Sequence, residues 1–513
     1  MLAILMDHIE WHSCVGISAP KDEAEIGENA MKVQLIIDNQ SVDAANSKVF
    51  ERKHPVSGIV ITESAAAGVQ DANRAATSAG EAFKSWSQTG PTARRKILLA
   101  AADNLEAKIG DICQAMASEI GASGLWGGFN VTAAAGLIRE AASLTTQIQG
   151  ETIPTDKPDT LSMTLRQPVG ACLSIVPWNG PIILACRAIA YPIACGNTVV
   201  FRASEMSPKT HLLVAEAFIE AGLPEGVLNF VINAPEDAPE VIDCLISHPA
   251  IRRINFTGST RIGRIIAEKS GRNLKRCLLE LGGKAPFVVL DDADIESAVN
   301  AAIFGTFLYQ GQICMSTERF VVDETVADEF VAAFAKRASE LAAGDPMENP
   351  GCVIGPMIDA GSGKRINAMV EDAMAKGAKI VVGGMADGAV MPATIVDHVK
   401  PGMTIYDEET FGPVTTIVRV KGVEEAVRVA NDTEYGLAAA VFGRDAHRAF
   451  NVARQIDAGH VHVNGATVAN EPQAPYGGMK NSGFGRFDGR AVIDEFTELK
   501  WVTIEPSDQP YPV

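Results

Sequence analysis

Two residues of this sequence have side chains that could form and resolve a covalent intermediate. Cys314 lies in the stretch GQICMSTERF, thirty-four residues after Glu280 of LLELGGK. A thiolate is a strong nucleophile when a neighbouring group accepts its proton, and a carboxylate can accept that proton. A single cysteine is more often a small buried apolar residue, so the pair indicates catalysis only if further motifs accompany it.

The elements that would position these side chains begin at about residue 171, where short apolar runs alternate with amphipathic stretches. ACLSIVP predicts a strand and PIILACRAIAYPIA predicts a helix, and the pattern then repeats. Strand–helix–strand repetition at this spacing predicts a parallel sheet with helices on both faces. Ligands bind beyond the carboxyl ends of such strands, where the loops carry Asn179, Ser204 and Ser259.

A second α/β block begins near Glu280 and continues to about residue 480. Two extended segments with alternating polarity, 151–168 and 483–513, lie outside the two blocks. An exposed strand edge is stabilised by pairing with another chain. The sequence therefore predicts a homo-oligomer, either a homodimer or a dimer of dimers, with these segments as the oligomerisation arm.

Composition and charge limit the classes of function. With 513 residues, 47% of them hydrophobic and 21% charged, the chain is expected to be a soluble protein of two or more domains. The formal charge of -19 argues against a nucleic-acid partner, because binding to phosphates requires a basic face. No apolar run reaches the roughly 18–20 residues that span a bilayer, so no membrane association is expected.

Cysteine usage and the chain's start predict a cytoplasmic protein. Nine cysteines occur singly, which is typical of reduced thiols. Residues 1–30 are acidic and resemble neither a secretory signal nor a mitochondrial presequence, so they are interpreted as a mobile tail or a misplaced start, with Met31 as an alternative beginning. His460 and His462 alternate in GHVHVNG without a carboxylate–histidine cluster, and no metal site is predicted.

Seven motifs then occur in the order typical of one family. They are PWNGP (177–181), FRASE (201–205), FTGSTRIG (256–263), LELGGK (279–284), GQIC (311–314), EETFGPV (408–414) and PYGGMKNSGFGR (475–486). From about residue 35 to 505 the chain resembles the NAD(P)-dependent aldehyde dehydrogenases. The resemblance implies an α/β fold of two doubly wound parallel-sheet domains plus a β-strand oligomerisation arm. It assigns 31–150 and 169–279 to an NAD-binding domain and 280–482 to a catalytic domain.

The resemblance also implies a mechanism. Cys314 would attack the aldehyde carbon to form a thiohemiacetal, and loss of hydride would leave a thioester. The Asn179 amide and the Cys314 backbone N–H would stabilise the oxyanion. Glu280 would activate the water that hydrolyses the thioester. The alternatives are that Asn179 caps the following helix and that Glu280 is a solvated carboxylate at a strand end.

A third set of residues resembles the family's cofactor site, comprising Pro177, Trp178, Arg202, Ser204, Glu205, Gly258, Ser259, Gly263, Lys284, Glu409 and Phe411. FTGSTRIG is not the usual dinucleotide-binding glycine motif, but its glycines would let a phosphate approach a helix N-terminus. Glu205 would accept from a ribose hydroxyl, which favours NAD. Arginine stands at position 202 where the family usually has lysine, so NADP stays possible.

The substrate site is predicted from helical spacing. In a helix beginning after Asn179, one face would carry Gly180, Ile183, Leu184 and Arg187. Aromatic or apolar surface would come from Trp126, Leu308, Tyr309 and Tyr476. A cation among aromatic rings would suit a hydroxylated aromatic aldehyde. The alternative is that Arg187 pairs with a carboxylate.

The segments LWGGFN, RAIAYP and FGTFLYQGQICMSTER favour one branch of the family. They most resemble the salicylaldehyde dehydrogenases, followed by the vanillin and benzaldehyde dehydrogenases. The resemblance thus implies oxidation of salicylaldehyde to salicylate with NAD. An aliphatic semialdehyde dehydrogenase is the other alternative, because Arg187 could bind a distal carboxylate. A CoA-acylating enzyme is disfavoured because enzymes of that type usually lack the counterpart of Glu280.

Overall fold

The computed structural model describes residues 30–509 and 511, so the prediction made for the acidic N-terminal tail lies outside the described residues. Its strands are β1 (Met31–Val33), β2 (Leu35–Ile37), β3 (Gln40–Val42), β4 (Val49–Lys53), β5 (Val60–Ala65), β6 (Leu161–Pro168), β7 (Ala171–Ile175), β8 (Thr198–Arg202), β9 (Leu228–Val231), β10 (Ile251–Thr257), β11 (Arg276–Glu280), β12 (Ala285–Val289), β13 (Thr317–Asp323), β14 (Lys379–Val382), β15 (Thr394–Asp397), β16 (Val414–Val420), β17 (Ala438–Phe442), β18 (His460–Val463), β19 (Gly483–Phe484) and β20 (Thr497–Ile504).

Its α-helices are α1 (Val69–Trp86), α2 (Pro91–Ala107), α3 (Ile109–Ile120), α4 (Gly124–Leu144), α5 (Pro181–Ala194), α6 (Pro208–Glu220), α7 (Ala238–Ser247), α8 (Thr260–Arg272), α9 (Ile295–Phe307), α10 (Ala327–Ala338), α11 (Ala360–Ala375), α12 (Thr404–Asp407), α13 (Gly422–Asn431), α14 (Ala446–Ala453) and α15 (Ala491–Phe496). Short 3-10 helices span Pro235–Asp237, Leu308–Gly311 and Lys480–Ser482.

Two large sheets carry the fold. The first has eight strands in the order β19-β11-β10-β7-β8-β9-β2-β3, and the second has seven in the order β14-β15-β16-β13-β12-β17-β18. The central strands of both sheets run parallel. Antiparallel pairing is confined to the outer strands β2, β3, β14 and β19. The predicted doubly wound α/β architecture is thus confirmed, with mixed rather than purely parallel sheets.

Strand residues of the second sheet show why helices cover both of its faces. Phe287 and Val289 of β12 pack in one apolar cluster, whereas Val288 packs in another. Successive side chains of a strand point to opposite faces, so a strand that is apolar at every position must be covered on both. The continuous apolar runs seen in the sequence are therefore the consequence of a two-sided core.

The two extended segments pair with one another. β6 and β20 form an antiparallel two-stranded sheet in continuous register from Thr497 opposite Pro168 to Ile504 opposite Leu161. The segment 483–513 first forms β19 of the eight-stranded sheet. It then buries Phe496 in the large apolar cluster around that sheet, and only afterwards forms β20 of the arm. The start of 483–513 thus belongs structurally to the first sheet, and the role of the arm in oligomerisation stays a prediction. No helix in the described ranges is long and apolar enough to cross a membrane.

Candidate active site

Cys314 and Glu280 come from different parts of the fold but lie close together, since the Cys314 thiol lowers the pKa of Glu280 and Glu280 raises the pKa of Cys314. Glu280 is the last residue of β11, and Cys314 lies in the turn between the 3-10 helix Leu308–Gly311 and β13. The Cys314 Sγ atom is 3.2 Å from Tyr476 Oη. Glu280 is 1% exposed, and neither of its carboxylate oxygens has a hydrogen-bond partner among the described residues. The alternative of a solvated strand-end carboxylate therefore does not hold.

Burial controls the ionisation of this pair. It raises the pKa of Glu280 to about 7, with the positive charge of Arg187 opposing that rise. Burial also raises the pKa of Cys314 well above its ordinary value, and the charge of Glu280 adds to the effect. A carboxylate with a pKa near neutrality is suited to general base catalysis, because it can both accept and release a proton at physiological pH.

The turn that presents Cys314 is held in an uncommon backbone conformation. Tyr309 and Gln310 have φ angles of 48° and 45°. Non-glycine residues adopt positive φ only when their surroundings hold them there. The Gln310 side chain does so by donating to the Pro356 carbonyl at 2.7 Å and accepting from the Gly355 N–H at 3.2 Å. The turn before the nucleophile is thus held in place by the loop that carries Gly355 and Pro356.

Asn179 lies in the turn between β7 and α5 and lines the same cavity as Cys314. Its Nδ2 donates to the Gln312 carbonyl at 3.0 Å, and its own carbonyl accepts from Trp126 Nε1 at 3.0 Å. Gly180 is the N-cap residue of α5, without a side-chain cap, so the alternative role of Asn179 as a helix cap does not hold. The second N–H of the amide is left to bind an oxygen in the cavity.

The cavity has a volume of about 550 Å³ and is mostly apolar. Its lining comprises Trp126, Phe129, Asn179, Gly180, Ile183, Leu184, Arg187, Phe304, Ile313, Cys314, Met315, Gly465, Ala466, Val468, Ala469, Asn470 and Tyr476. The four positions predicted to share one face of α5 all belong to it. A cavity of this size and lining is typical of a site for a small apolar ligand.

Of the four other residues predicted to bind the substrate, two line the cavity and two do not. Trp126 and Tyr476 line the cavity, whereas Tyr309 stacks behind Trp126 with ring centroids 4.9 Å apart, and Leu308 packs on the first core. Sequence reasoning missed Phe129, whose ring also stacks on that of Trp126, with centroids 5.5 Å apart. The aromatic run LWGGFN contains Phe129 three residues beyond Trp126, at helical spacing, and could have identified it.

Arg187 is bound within the chain. Its Nε and Nη2 donate to the two carboxylate oxygens of Asp488 at 3.1 and 2.8 Å, and Nη2 also donates to Asn470 Oδ1 at 2.8 Å. Both partners of the ion pair are buried, with side-chain exposures of 3% and 0%. The alternative interpretation, in which Arg187 pairs with a carboxylate, matches this geometry, although the residue also contributes to the cavity wall.

The predicted ribose and phosphate region lies at the carboxyl ends of β8 and β10. Arg202 pairs with Glu205 at 3.0 Å and donates to Asn233 Oδ1 at 2.9 Å. Ser204 Oγ accepts from the Met206 N–H, so this hydroxyl shapes the turn that follows β8. The carboxylate of Glu205 stays one-quarter exposed, so it can accept a hydrogen bond from a bound molecule.

The motif that follows β10 forms the predicted strand-to-helix turn. Ser259 caps α8 and accepts from the Ile262 N–H at 3.5 Å. A Cβ atom at Gly263 would lie 2.5 Å from Leu281, and one at Gly258 would lie 2.5 Å from the Phe256 ring. A side chain at either glycine would therefore displace the neighbouring Leu281 or Phe256 side chain.

The loop that carries Glu409 and Phe411 is held from behind. Glu318 accepts from the Thr410 and Phe411 N–H groups at 2.8 and 2.9 Å, and Lys284 donates to Glu318 at 2.8 Å. Lys284 is 1% exposed, so it supports this loop from the interior. Sequence reasoning missed Glu318, because nothing in ERFVVD distinguishes it from an ordinary strand residue.

Beside this loop lies the surface predicted to bind the nicotinamide half of a cofactor. Phe411 has a φ of 49° and meets the half-buried Trp178 edge-on at 5.8 Å, next to Pro177. Any side chain at Gly282 would put a Cβ 2.8 Å from Glu409 Oε2. Carboxylates that accept from ribose hydroxyls, beside glycines that allow close approach, fit a nicotinamide dinucleotide.

Comparisons with known proteins agree with this geometry. The model of the aldehyde dehydrogenase family matches residues 42–502. The chain is 63% identical over 482 residues to salicylaldehyde dehydrogenase of Pseudomonas sp. strain C18, covering 94% of this chain and all of that protein. It is 50% identical over 483 residues to vanillin dehydrogenase of Pseudomonas fluorescens, again covering 94% and 100%.

A solved structure gives the same result in three dimensions. The crystal structure of a salicylaldehyde dehydrogenase from Pseudomonas putida G7 complexed with salicylaldehyde aligns with a TM-score of 0.93 and 63% identity, covering 94% of this chain and 100% of that one. A betaine aldehyde dehydrogenase from Staphylococcus aureus in complex with NAD+ aligns with a TM-score of 0.90 at 31% identity, covering 96% and 98%. The chain belongs to the aldehyde dehydrogenase family.

Proposed function

We propose that this protein oxidises salicylaldehyde to salicylate with NAD, using Cys314 as the nucleophile. The observation that carries the proposal is the shared cavity, in which Cys314 and Asn179 lie beneath a lining of Trp126 and Phe129. Flat aromatic aldehydes match this surface in shape and polarity. The similarity to enzymes that act on salicylaldehyde and vanillin supports an aromatic substrate.

The residues act in two stages. Cys314 bonds to the aldehyde carbon, and the Asn179 amide with the Cys314 backbone N–H stabilises the oxyanion of the thiohemiacetal. A nicotinamide dinucleotide held beside Glu409 and Phe411 would supply the acceptor for the hydride that leaves the thiohemiacetal carbon. Glu280 then takes a proton from the water that hydrolyses the Cys314 thioester, so that the acid is released and the thiol restored. The pKa of Glu280 near 7 suits that proton transfer.

NAD is proposed as the preferred cofactor. The Arg202 guanidinium is engaged by Glu205 and Asn233, so it is not free to bind a 2′-phosphate. Glu205 can accept from a 2′-hydroxyl and would repel a phosphate at that position.

Vanillin is the second candidate substrate because of the 50% identity to a vanillin dehydrogenase. An aliphatic semialdehyde is less suited, since Arg187 is the only basic residue among the described residues that line the cavity and Asp488 already neutralises it.

A substrate panel tests the proposal. Salicylaldehyde, vanillin, benzaldehyde and succinate semialdehyde are assayed by absorbance of the reduced cofactor, with NAD and NADP in parallel. We expect the highest kcat/KM for salicylaldehyde with NAD. A higher value for vanillin or for the semialdehyde would refute the assigned substrate, and a higher value with NADP would refute the cofactor.

Self-association is proposed through the arm formed by β6 and β20. Several apolar side chains of this two-stranded sheet are solvent-exposed, including Leu165 at 42%, Leu499 at 59% and Trp501 at 71%. Exposed apolar strands at a sheet edge favour pairing with a second copy. A cytoplasmic location is proposed as well, because the cysteines occur singly in the sequence rather than in the spacings of a disulfide framework.

A further inference from the structure

The hydroxyl of Tyr476 lies close to the Cys314 sulfur, although the proposed mechanism gives this hydroxyl no role. Its hydroxyl oxygen lies 3.2 Å from Sγ, and its side chain is buried against the cavity. The other polar neighbours of the sulfur are unfavourable to a thiolate, because the carboxylates Glu280 and Glu409 both raise the pKa of Cys314. The hydroxyl of Tyr476 opposes them.

Three contacts hold the Tyr476 ring in place. The Arg187 guanidinium lies over the ring, 4.1 Å from its centroid, and Asp488 fixes that guanidinium through two hydrogen bonds. The His460 ring centroid lies 4.7 Å from that of Tyr476. The backbone of Tyr476 exchanges two hydrogen bonds of 2.8 Å with Phe487. The hydroxyl is thus preorganised rather than free to rotate away.

We propose that Tyr476 is a further catalytic residue, whose hydroxyl donates a hydrogen bond to the Cys314 thiolate and thereby stabilises the ionised form of the nucleophile. The proposal rests on the assignment of Cys314 as the nucleophile. The thiol proton passes to the Glu280 carboxylate, and the phenol keeps its own proton. Burial, followed by the charges of Cys314 and Glu280, raises the pKa of Tyr476 well above its ordinary value, so the phenol acts as a donor.

The guanidinium of Arg187 supports the arrangement as a positioning group. It is the cation that faces both the Tyr476 ring and the Glu280 carboxylate, and it lowers the pKa of each. His460, on the other side of the ring, has a pKa lowered to about 4, chiefly by burial. It is therefore neutral at physiological pH and adds no charge.

The test is the pH dependence of Cys314 alkylation in the native enzyme. Wild type and Tyr476→Phe are treated with iodoacetamide from pH 6 to 10, with and without NAD, and labelling is measured on the Cys314 peptide by mass spectrometry. Reading that peptide separates Cys314 from the half-buried Cys244 and Cys277. Loss of the donor should move the alkylation midpoint to higher pH and slow labelling at neutral pH by about tenfold, which corresponds to one pKa unit.

Tyr406→Phe is the matched control. The Tyr406 hydroxyl donates to Asp432 at 2.8 Å, and the Arg319 guanidinium lies 4.0 Å from its ring centroid, but this tyrosine packs in the apolar cluster that includes Val288 of β12, away from the cavity lining. Tyr406→Phe thus also removes a phenol hydroxyl from a ring that lies beneath a guanidinium. Its alkylation profile should therefore coincide with that of wild type.

A second substitution keeps the inference testable if Tyr476→Phe is unstable. Incorporation of 3-fluorotyrosine at position 476 retains the ring and makes the phenol a stronger donor, so the midpoint should move to lower pH. An unchanged midpoint in Tyr476→Phe, or a shift equal to that of Tyr406→Phe, would overturn the role of Tyr476. The proposed function would fail separately, if Cys314 proved dispensable for turnover.

Discussion

The carboxylate of Glu280 gives a prediction that joins stability to catalysis. The folded protein holds this group in a dry site and raises its pKa from an ordinary 4.5 to about 7. Between these values the folded chain binds a proton that the unfolded chain has released, so the free energy of unfolding falls as pH rises. A change in pKa of this size corresponds to about 3 kcal/mol. Above pH 7 the wild type is therefore less stable to unfolding than a variant with a neutral side chain at position 280.

Glu280→Gln removes the ionisation and preserves the shape of the side chain. We expect the variant and wild type to have similar melting temperatures at pH 4.5 and the variant to melt at higher temperature at pH 8. Exposed Glu324→Gln is the control and should show no such divergence. Turnover should fall by about 10²- to 10⁴-fold in Glu280→Gln, the contribution typical of a general base.

Two results would contradict the raised pKa of Glu280 or its role as the general base. A difference in melting temperature that stays constant from pH 4.5 to pH 8 would mean that Glu280 does not carry the raised pKa. Wild-type turnover that does not rise through about pH 7 would mean that another group activates the water, since a base acts only in its ionised form.

Further predictions concern the oxyanion and the buried ion pair. Asn179→Ala should lower kcat by about 10²- to 10³-fold through loss of a transition-state donor, and a kcat within threefold of wild type in steady-state assays would contradict that role. Arg187→Gln should destabilise the fold by about 3–5 kcal/mol, because it leaves the Asp488 carboxylate buried without its partner. The double variant with Asp488→Asn should recover much of that stability in urea unfolding, and no recovery would indicate that the pair is not the cause.

Local patterns predict the elements that position the site. The apolar run of β7 and the amphipathic pattern of α5 are periodic signals within short windows, so the predicted strand and helix correspond to observed ones. The placement of Ile183, Leu184 and Arg187 on one face of α5 follows from helical spacing alone. The existence and direction of these elements depend on neighbouring residues, which the sequence displays.

Contacts between distant residues could not be predicted in the same way. Asp488 meets Arg187 across 301 positions, and Asn470 meets it across 283. Neither residue lies in a local pattern that predicts its partner, because each contact depends on how distant segments of the chain pack together. Tyr309 packs against Trp126 because its positive φ bends the chain just before the nucleophile. The types of the neighbouring residues do not reveal such a bend.

Replacement of Cys314 is the sharpest test of its role as the nucleophile. Cys314→Ala is compared with Cys277→Ala, which removes a half-buried thiol outside the cavity, in an assay of NADH formation from salicylaldehyde. NAD binding is measured by fluorescence quenching to verify that each variant is folded. We expect no aldehyde-dependent NADH from Cys314→Ala and near wild-type rates from Cys277→Ala, whereas turnover by folded Cys314→Ala would show that another group is the nucleophile.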